Sequence, residues 1–415
     1  MNALEALLAR ERRRLVALLA RHLGLAQLAL AEDAVQQACL QAVQTWPRDG
    51  TPSNPAAWLY RVAQRAAIDQ LRLDRHRAAW PEDEAELPQL QPLPGRLTRE
   101  LDDDELALLF AACHPALPAA SQVLLALRVL GGFELAALAP LFFSTEAALA
   151  QRLARARRDL AGCELALPAG AELPPRREAV MTALALGFHQ GQQAAAREAR
   201  EVGGEAGNKA LEVCWEAIRL ARALAAHAAT AAPEADALAA LLLLHGARLT
   251  GRTDAHGDIV PLPGQARDRW DAGLIRLGFA HLADSQRGSS LSRWHLLAGI
   301  AAEHARAPRY EATDWAAIVG YYEALLPLDP SAAPRLGHAI ALAEAGAPQA
   351  ALGRLRAMQD EVPAALRAHH AAALSRAAER TGDLALARSA LQQAIAAAPH
   401  PAEALRLQRR LADLS

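Results

Sequence analysis

Lysine is all but missing from this chain. Lys209 is the only one, so positive charge rests on arginine, and the formal net charge is −2. A chain this close to neutral has no general field to draw in nucleic acid, so any such affinity must come from local patches. Cysteine is scarce as well. Cys39, Cys113, Cys163 and Cys214 lie far apart with no CxxC pair, which excludes a disulfide framework and a clustered zinc site and points to a reducing, cytoplasmic setting. There is no Walker loop, no dinucleotide fingerprint and no nucleophile beside a base. No enzyme, no cofactor and no metal are therefore expected. The apolar run "DALAALLLLHGARL" (Asp236–Leu249) is too short and too soon interrupted to span a bilayer. The N-terminal "RERRR" lacks the apolar core and cleavage site of a signal peptide, and no membrane association is expected.

What the chain does have is helical period nearly everywhere, in 415 residues that are 52% hydrophobic. The expected fold class is all-α, with more than one core. Two stretches break the pattern. "AAWPEDEAELPQLQPLPGRL" is rich in proline and acid, as an extended linker is, and "CELALPAGAELPP" precedes a long Ala- and Leu-rich region. The expected parts are residues 1–78, a linker at 79–99, residues 100–162, and a helical tail at 175–415.

Two helices carry basic faces. In "ELAALAPLFFSTEAALAQRLARARRDL" a short helix, a break and a longer helix follow one another. At about 100° per residue, Leu149, Leu153, Ala156 and Leu160 share one arc of about 60°, while Gln151, Arg155 and Arg158 project opposite. Thr145 with Glu146 suits the helix start, and the arginines suit its end. A merely solvated amphipathic face fits the longer helix taken alone. The short helix and tight turn before it favour a helix-turn-helix unit whose second helix enters the major groove. In "NPAAWLYRVAQRAAIDQLRLDRHR" the same arithmetic aligns Arg61, Arg65 and Arg72 within about 40°, with Trp58 and Tyr60 at the N-terminal end. Rings beside guanidinium groups suit single-stranded DNA, whose bases stack and whose phosphates are charged. A core tryptophan under a solvated face is the alternative there.

These segments, with "AEDAVQQACLQAVQTWPRDG" and "ASQVLLALRVLGGF", resemble regions two and four of extracytoplasmic-function RNA polymerase sigma factors in order and spacing. In the tail "ARDRWDAGLI" and "EATDWAAIVGYYEALL", with "CHPAL" and "HGDIVPL", resemble a subgroup with a long helical extension. The resemblance implies binding to core RNA polymerase through the helix containing Glu32, Asp33, Gln36 and Gln37. It implies capture of the melted −10 element by Asn54, Trp58, Arg61, Arg65, Arg72 and Arg75, with Trp58 buttressing the loop. It also implies reading of the −35 element by Gln151, Arg152, Arg155, Arg157 and Arg158, since arginine bonds guanine and glutamine bonds adenine in bidentate fashion. The acidic stretch Glu82 to Glu86 would run through polymerase near the RNA path. An ordinary solvated linker fits it equally well. Pro140, Phe143, Ala148 and Arg65 depart from the family pattern. A helix-turn-helix regulator independent of polymerase is the rival reading, and it has no use for a second, strand-capturing helix.

The tail shows a weak repeat. "LALARSALQQAIAAAP" places Ala387, Leu391, Ala394 and Pro399 as in the second helix of a tetratricopeptide unit, and "IVGYYEALLPLDP" does so with Ile318, Tyr322, Leu325 and Pro330. Stacked helix pairs of this kind offer a concave surface to a peptide or another protein, and a tail this long is expected to regulate the promoter-reading parts in cis. A plain Ala-rich bundle is the alternative. "DAHGD" (Asp254–Asp258) has neither the alternating acids of a calcium loop nor histidines at metal spacing, and reads as a connector.

Overall fold

The computed structural model describes residues 3–77, 97–129, 133–139, 141–142, 144–163, 165–201, 206–252, 260–398 and 401–414. Among these the regular elements are all helical, eighteen of them α-helices, and none is a strand. The fold is all-α. The chain divides into two compact units, one of residues 1–194 with 209–230 and the other of 195–208 with 231–415.

In the first unit, α1 (Ala3–Leu23), α2 (Leu28–Asp49) and α3 (Pro55–Arg77) pack on one another. Buried positions on α2 recur every three or four residues, at Leu28, Ala31, Val35, Ala38, Ala42 and Trp46. The alanines among them let α3 lie close, burying Leu59, Tyr60, Ala63 and Ala67. Gly50, at φ 84, ends α2 in a conformation that other residues rarely adopt. Next come α4 (Leu97–Ala112), α5 (Ala119–Val129), α6 (Leu135–Leu138) and α7 (Glu146–Asp159). Helix α4 packs on α1, and both α5 and α6 pack on α7. Pro140 is one of the departures from the family pattern, and it falls in this unit. In the structure α6 stops at Leu138, two residues before it. Pro140 and Phe143 themselves lie outside the described residues, as does the acidic stretch 82–86.

The packing parts the chain elsewhere than the boundary expected at residue 175. Helices α8 (Leu173–Glu201) and α9 (Ala206–Ala226) belong mainly to the first unit. Arg176 donates from Nη2 to the carbonyl of Phe110 at 2.8 Å, and Arg219 bridges Glu105 of α4 and Glu216 of α9. Gly191 permits the close approach of the two added helices, since a Cβ there would stand 2.9 Å from the carbonyl oxygen of Ala210. These ties are side-chain chemistry that helical period does not encode.

The second unit is a succession of helices: α10 (Pro233–Gly246), α11 (Ala272–Ser285), α12 (Arg293–Arg306), α13 (Trp315–Leu325), α14 (Ala332–Glu344), α15 (Pro348–Ala357), α16 (Arg367–Arg380), α17 (Leu384–Ala397) and α18 (Pro401–Asp413). From α12 onward each packs on the next. Ile318, Leu325, Ala387, Leu391 and Ala394 are buried, as their spacing predicts. Gly299 and Gly337 leave room for the rings of Tyr321 and Tyr322, which a Cβ at either position would overlap. Pro399 and the "DAHGD" segment lie outside the described residues.

Candidate nucleic-acid interface

Helix α3 begins where Asn54 accepts the backbone N–H of Ala57 at 3.0 Å, just before Pro55. Asn54, expected at DNA, thus has a local capping duty. Beyond it, Arg61, Arg65 and Arg72 are all exposed. Among the described residues Arg61 and Arg65 form no ion pair, and Arg72 meets Asp69 at 3.6 Å in a solvent-exposed pair of little strength. The side chain of Arg75 lies outside the described residues. The aromatic expectation is corrected in part. Tyr60 is 1% exposed, a core residue unable to stack on a base. Trp58 is half-buried and meets Trp46 edge-on, with ring centroids 5.4 Å apart. Trp46, not singled out in the sequence, is the wall on which Trp58 rests.

On α7, Thr145 accepts the N–H of Ala148 at 3.2 Å, and Leu149, Leu153, Ala156 and Leu160 are buried as the wheel requires. Gln151, Arg155 and Arg158 are exposed, and Arg152 is half-buried. Arg157 departs from this set. Its Nη2 donates to Oε2 of Glu32 on α2, while Nε of Arg128 on α5 stands 3.9 Å from Oε1 of the same carboxylate.

Glu32 therefore departs from the set expected to face polymerase. It is 3% exposed, whereas Asp33, Gln36 and Gln37 are exposed. The reason is phase: Glu32 follows Leu28 by four residues and precedes Val35 by three, so it lies on the packed stripe of α2. Burial pushes its carboxyl up from the usual range, against the opposing pull of Arg157, Arg128 and Arg12. The exposed face beside it includes Leu40 and Val43, 58% and 51% exposed, which sequence reading passed over. Large apolar side chains at i and i+3 on an outer face were the available signal.

Among the described residues no three His, Cys, Asp or Glu side chains form a group able to hold a metal ion, and no helix is long and apolar enough to cross a membrane.

Residues 7–77, which hold α3 and its arginines, match the family model for sigma-70 region 2. The chain belongs to the sigma-70 family. It is an extracytoplasmic-function-like sigma factor with a C-terminal helical extension, and residues 176–286 of that extension match a family of unknown function, DUF6596. The sigma factor is 36% identical over 400 residues to a protein of Rhizobium meliloti (strain 1021) described as "Uncharacterized protein R00370", covering 94% of this chain and 90% of the relative. No solved structure matches it. Sigma-70 family members are transcription initiation factors and not enzymes.

Proposed function

We propose that this sigma factor docks on core RNA polymerase in the cytoplasm and directs promoter-specific initiation by engaging DNA at two places. The observation that carries the reading is the exposed arginine stripe of α3 within the sigma-70 region 2 match. Arg61 and Arg65, without acidic partners among the described residues, are available to phosphates of a melted strand, with Trp58 braced behind them. Gln151, Arg155 and Arg158 suit the major groove of the −35 element. Asp33, Gln36 and Gln37 with Leu40 and Val43 make a mixed polar and apolar face of the kind that protein interfaces bury.

The extension regulates this module in cis and presents its stacked helices to a protein or peptide ligand. Two features support regulation. Helices α8 and α9 are tied to α4 through Arg176 and Arg219. The Glu32 to Arg157 pair joins the polymerase-facing helix to the DNA-facing helix, so separating the two must break it.

Run-off transcription with core polymerase on genomic fragments tests the first part. Arg61→Ala with Arg65→Ala should leave duplex affinity near normal and reduce permanganate reactivity of promoter thymines. Arg155→Ala should instead weaken duplex binding, by about 1–3 kcal/mol if it contacts a base. Normal opening in the double variant would overturn the −10 assignment. For regulation, the chain should be cut after Thr230, which keeps α8 and α9 on the first unit. A coupling of about 1–3 kcal/mol would change polymerase affinity roughly 5- to 150-fold. An unchanged affinity and transcript yield would make the second unit a passive appendage.

A further inference from the structure

Within the second unit, between the end of α10 and the end of α12, two arginines face one tryptophan. The guanidinium carbon of Arg267 lies 4.6 Å from the ring centroid of Trp270, and that of Arg248 lies 5.4 Å from it. Trp270 is 5% exposed. Neither arginine forms an ion pair with a carboxylate among the described residues, and Glu311, which acts on Arg267 from a distance, is exposed. Both arginines are half-buried, and two like charges brought together with part of their water removed oppose folding. Burial, with Arg252 and Arg267 nearby, pushes Arg248 down to about 9.

The bonding of Arg267 is one-sided. Its Nη1 donates to the carbonyl of His304 and, at 3.0 Å, to that of Ala307, two acceptors at the C-terminal end of α12. Its Nε and Nη2 are buried and find no partner among the described residues, and the same is true of Nε1 of Trp270 and Nδ1 of His304. Nε and Nη2 share one edge of the guanidinium, the fork that meets two oxygens of a carboxylate or phosphate in parallel. Nη1 thus fixes the side chain, while the buried fork has no acceptor among the described residues. His304 adds no charge, since burial and then the two arginines hold its imidazole down to about 4.

We propose that Arg267, Arg248 and Trp270 form a binding site for a small oxyanion, a phosphate or carboxylate group of a small molecule. The anion neutralises the two guanidinium groups and accepts from the fork of Arg267. It thereby links the turn Arg267–Arg269 to α12. The site uses residues of the second unit alone and does not depend on the reading of the first.

Calorimetric titration of the full chain with inorganic phosphate and, separately, with succinate tests this. At least one of them should bind at a single site, and the tighter one identifies the anion class. Arg267→Lys keeps the charge and removes the fork, and should weaken that binding about tenfold or more. Trp270→Phe keeps a ring and removes one N–H, and should weaken it by a smaller factor. Should Arg267→Lys fail to fold, Arg248→Gln takes its place with the same expectation. No saturable binding of either anion at about 10 mM, or equal affinity in a folded Arg267→Lys variant, would overturn the proposal.

Discussion

In the first unit the polar ties reach far along the chain: 125 residues separate Arg157 from Glu32, 114 separate Arg219 from Glu105, and 83 separate Arg21 from Asp104. In the second, Arg380 and Glu344 are 36 residues apart, and Arg410 and Glu379 are 31 apart. Glu32, Asp104 and Glu105 are all buried, so each long tie is a desolvated carboxylate that needs its arginine. The second unit also has a buried carboxylate, Glu344 held by Arg376 and Arg380, but its ties join helices near in sequence, with alanines, Gly299 and Gly337 setting helix spacing. The first should therefore respond to change as a whole, and the second locally, as stacked arrays do.

The largest expected effect comes from Glu32→Arg, which places a fourth cation among Arg12, Arg128 and Arg157. It should destabilise the first unit by about 3 kcal/mol or more in urea unfolding, with the transition of the second unit unmoved. A comparable shift in both transitions would erase the contrast. A smaller effect is expected from ending the chain after Ala398, which removes Leu407 from the cluster of Ala371, Leu391 and Ala394. Burial of one leucine is worth about 1.5–3 kcal/mol. Hydrogen exchange should quicken in α16 and α17 and stay unchanged in α10 to α12. Uniform loss of protection across the unit would mean that it is not built from local terms.

The smallest effect sharpens the picture of Glu32 itself. Its carboxyl is raised in the folded chain, so the folded state holds the proton more tightly than the unfolded one. The stability from this group is complete below the ordinary glutamate range and falls as pH rises through the raised value. Glu32→Gln should flatten that decline between weakly acid and neutral pH. An unchanged pH profile of unfolding would show that the arginines fully offset the burial.

Helix periods, the Thr145 cap, the buried stripe of α7 and the arginine faces of α3 and α7 were legible because each depends on residues within one helix. Glu32 was not, although its phase with Leu28 and Val35 was visible. A carboxylate on a helix reads as surface unless its distant arginines are known, and those lie on α5 and α7. Asn54 carried a readable capping signal in its Asn-Pro pair that its expected DNA role obscured. Arg248 and Arg267 meet only once α10 and α12 are in place, which no local spacing shows.

The allegiance of α8 and α9 bears on how such chains are assembled from genes. Although the family match starting at residue 176 makes the extension look like a separable cassette, its first two helices are fastened to α4. Recombination near residue 165 would deliver a module whose Glu105 faced a stranger. A junction just past Thr230 would exchange tails and leave the fastening intact. Inherited extensions should accordingly travel with compatible partners for Arg176 and Arg219, and artificial chimeras should be joined there.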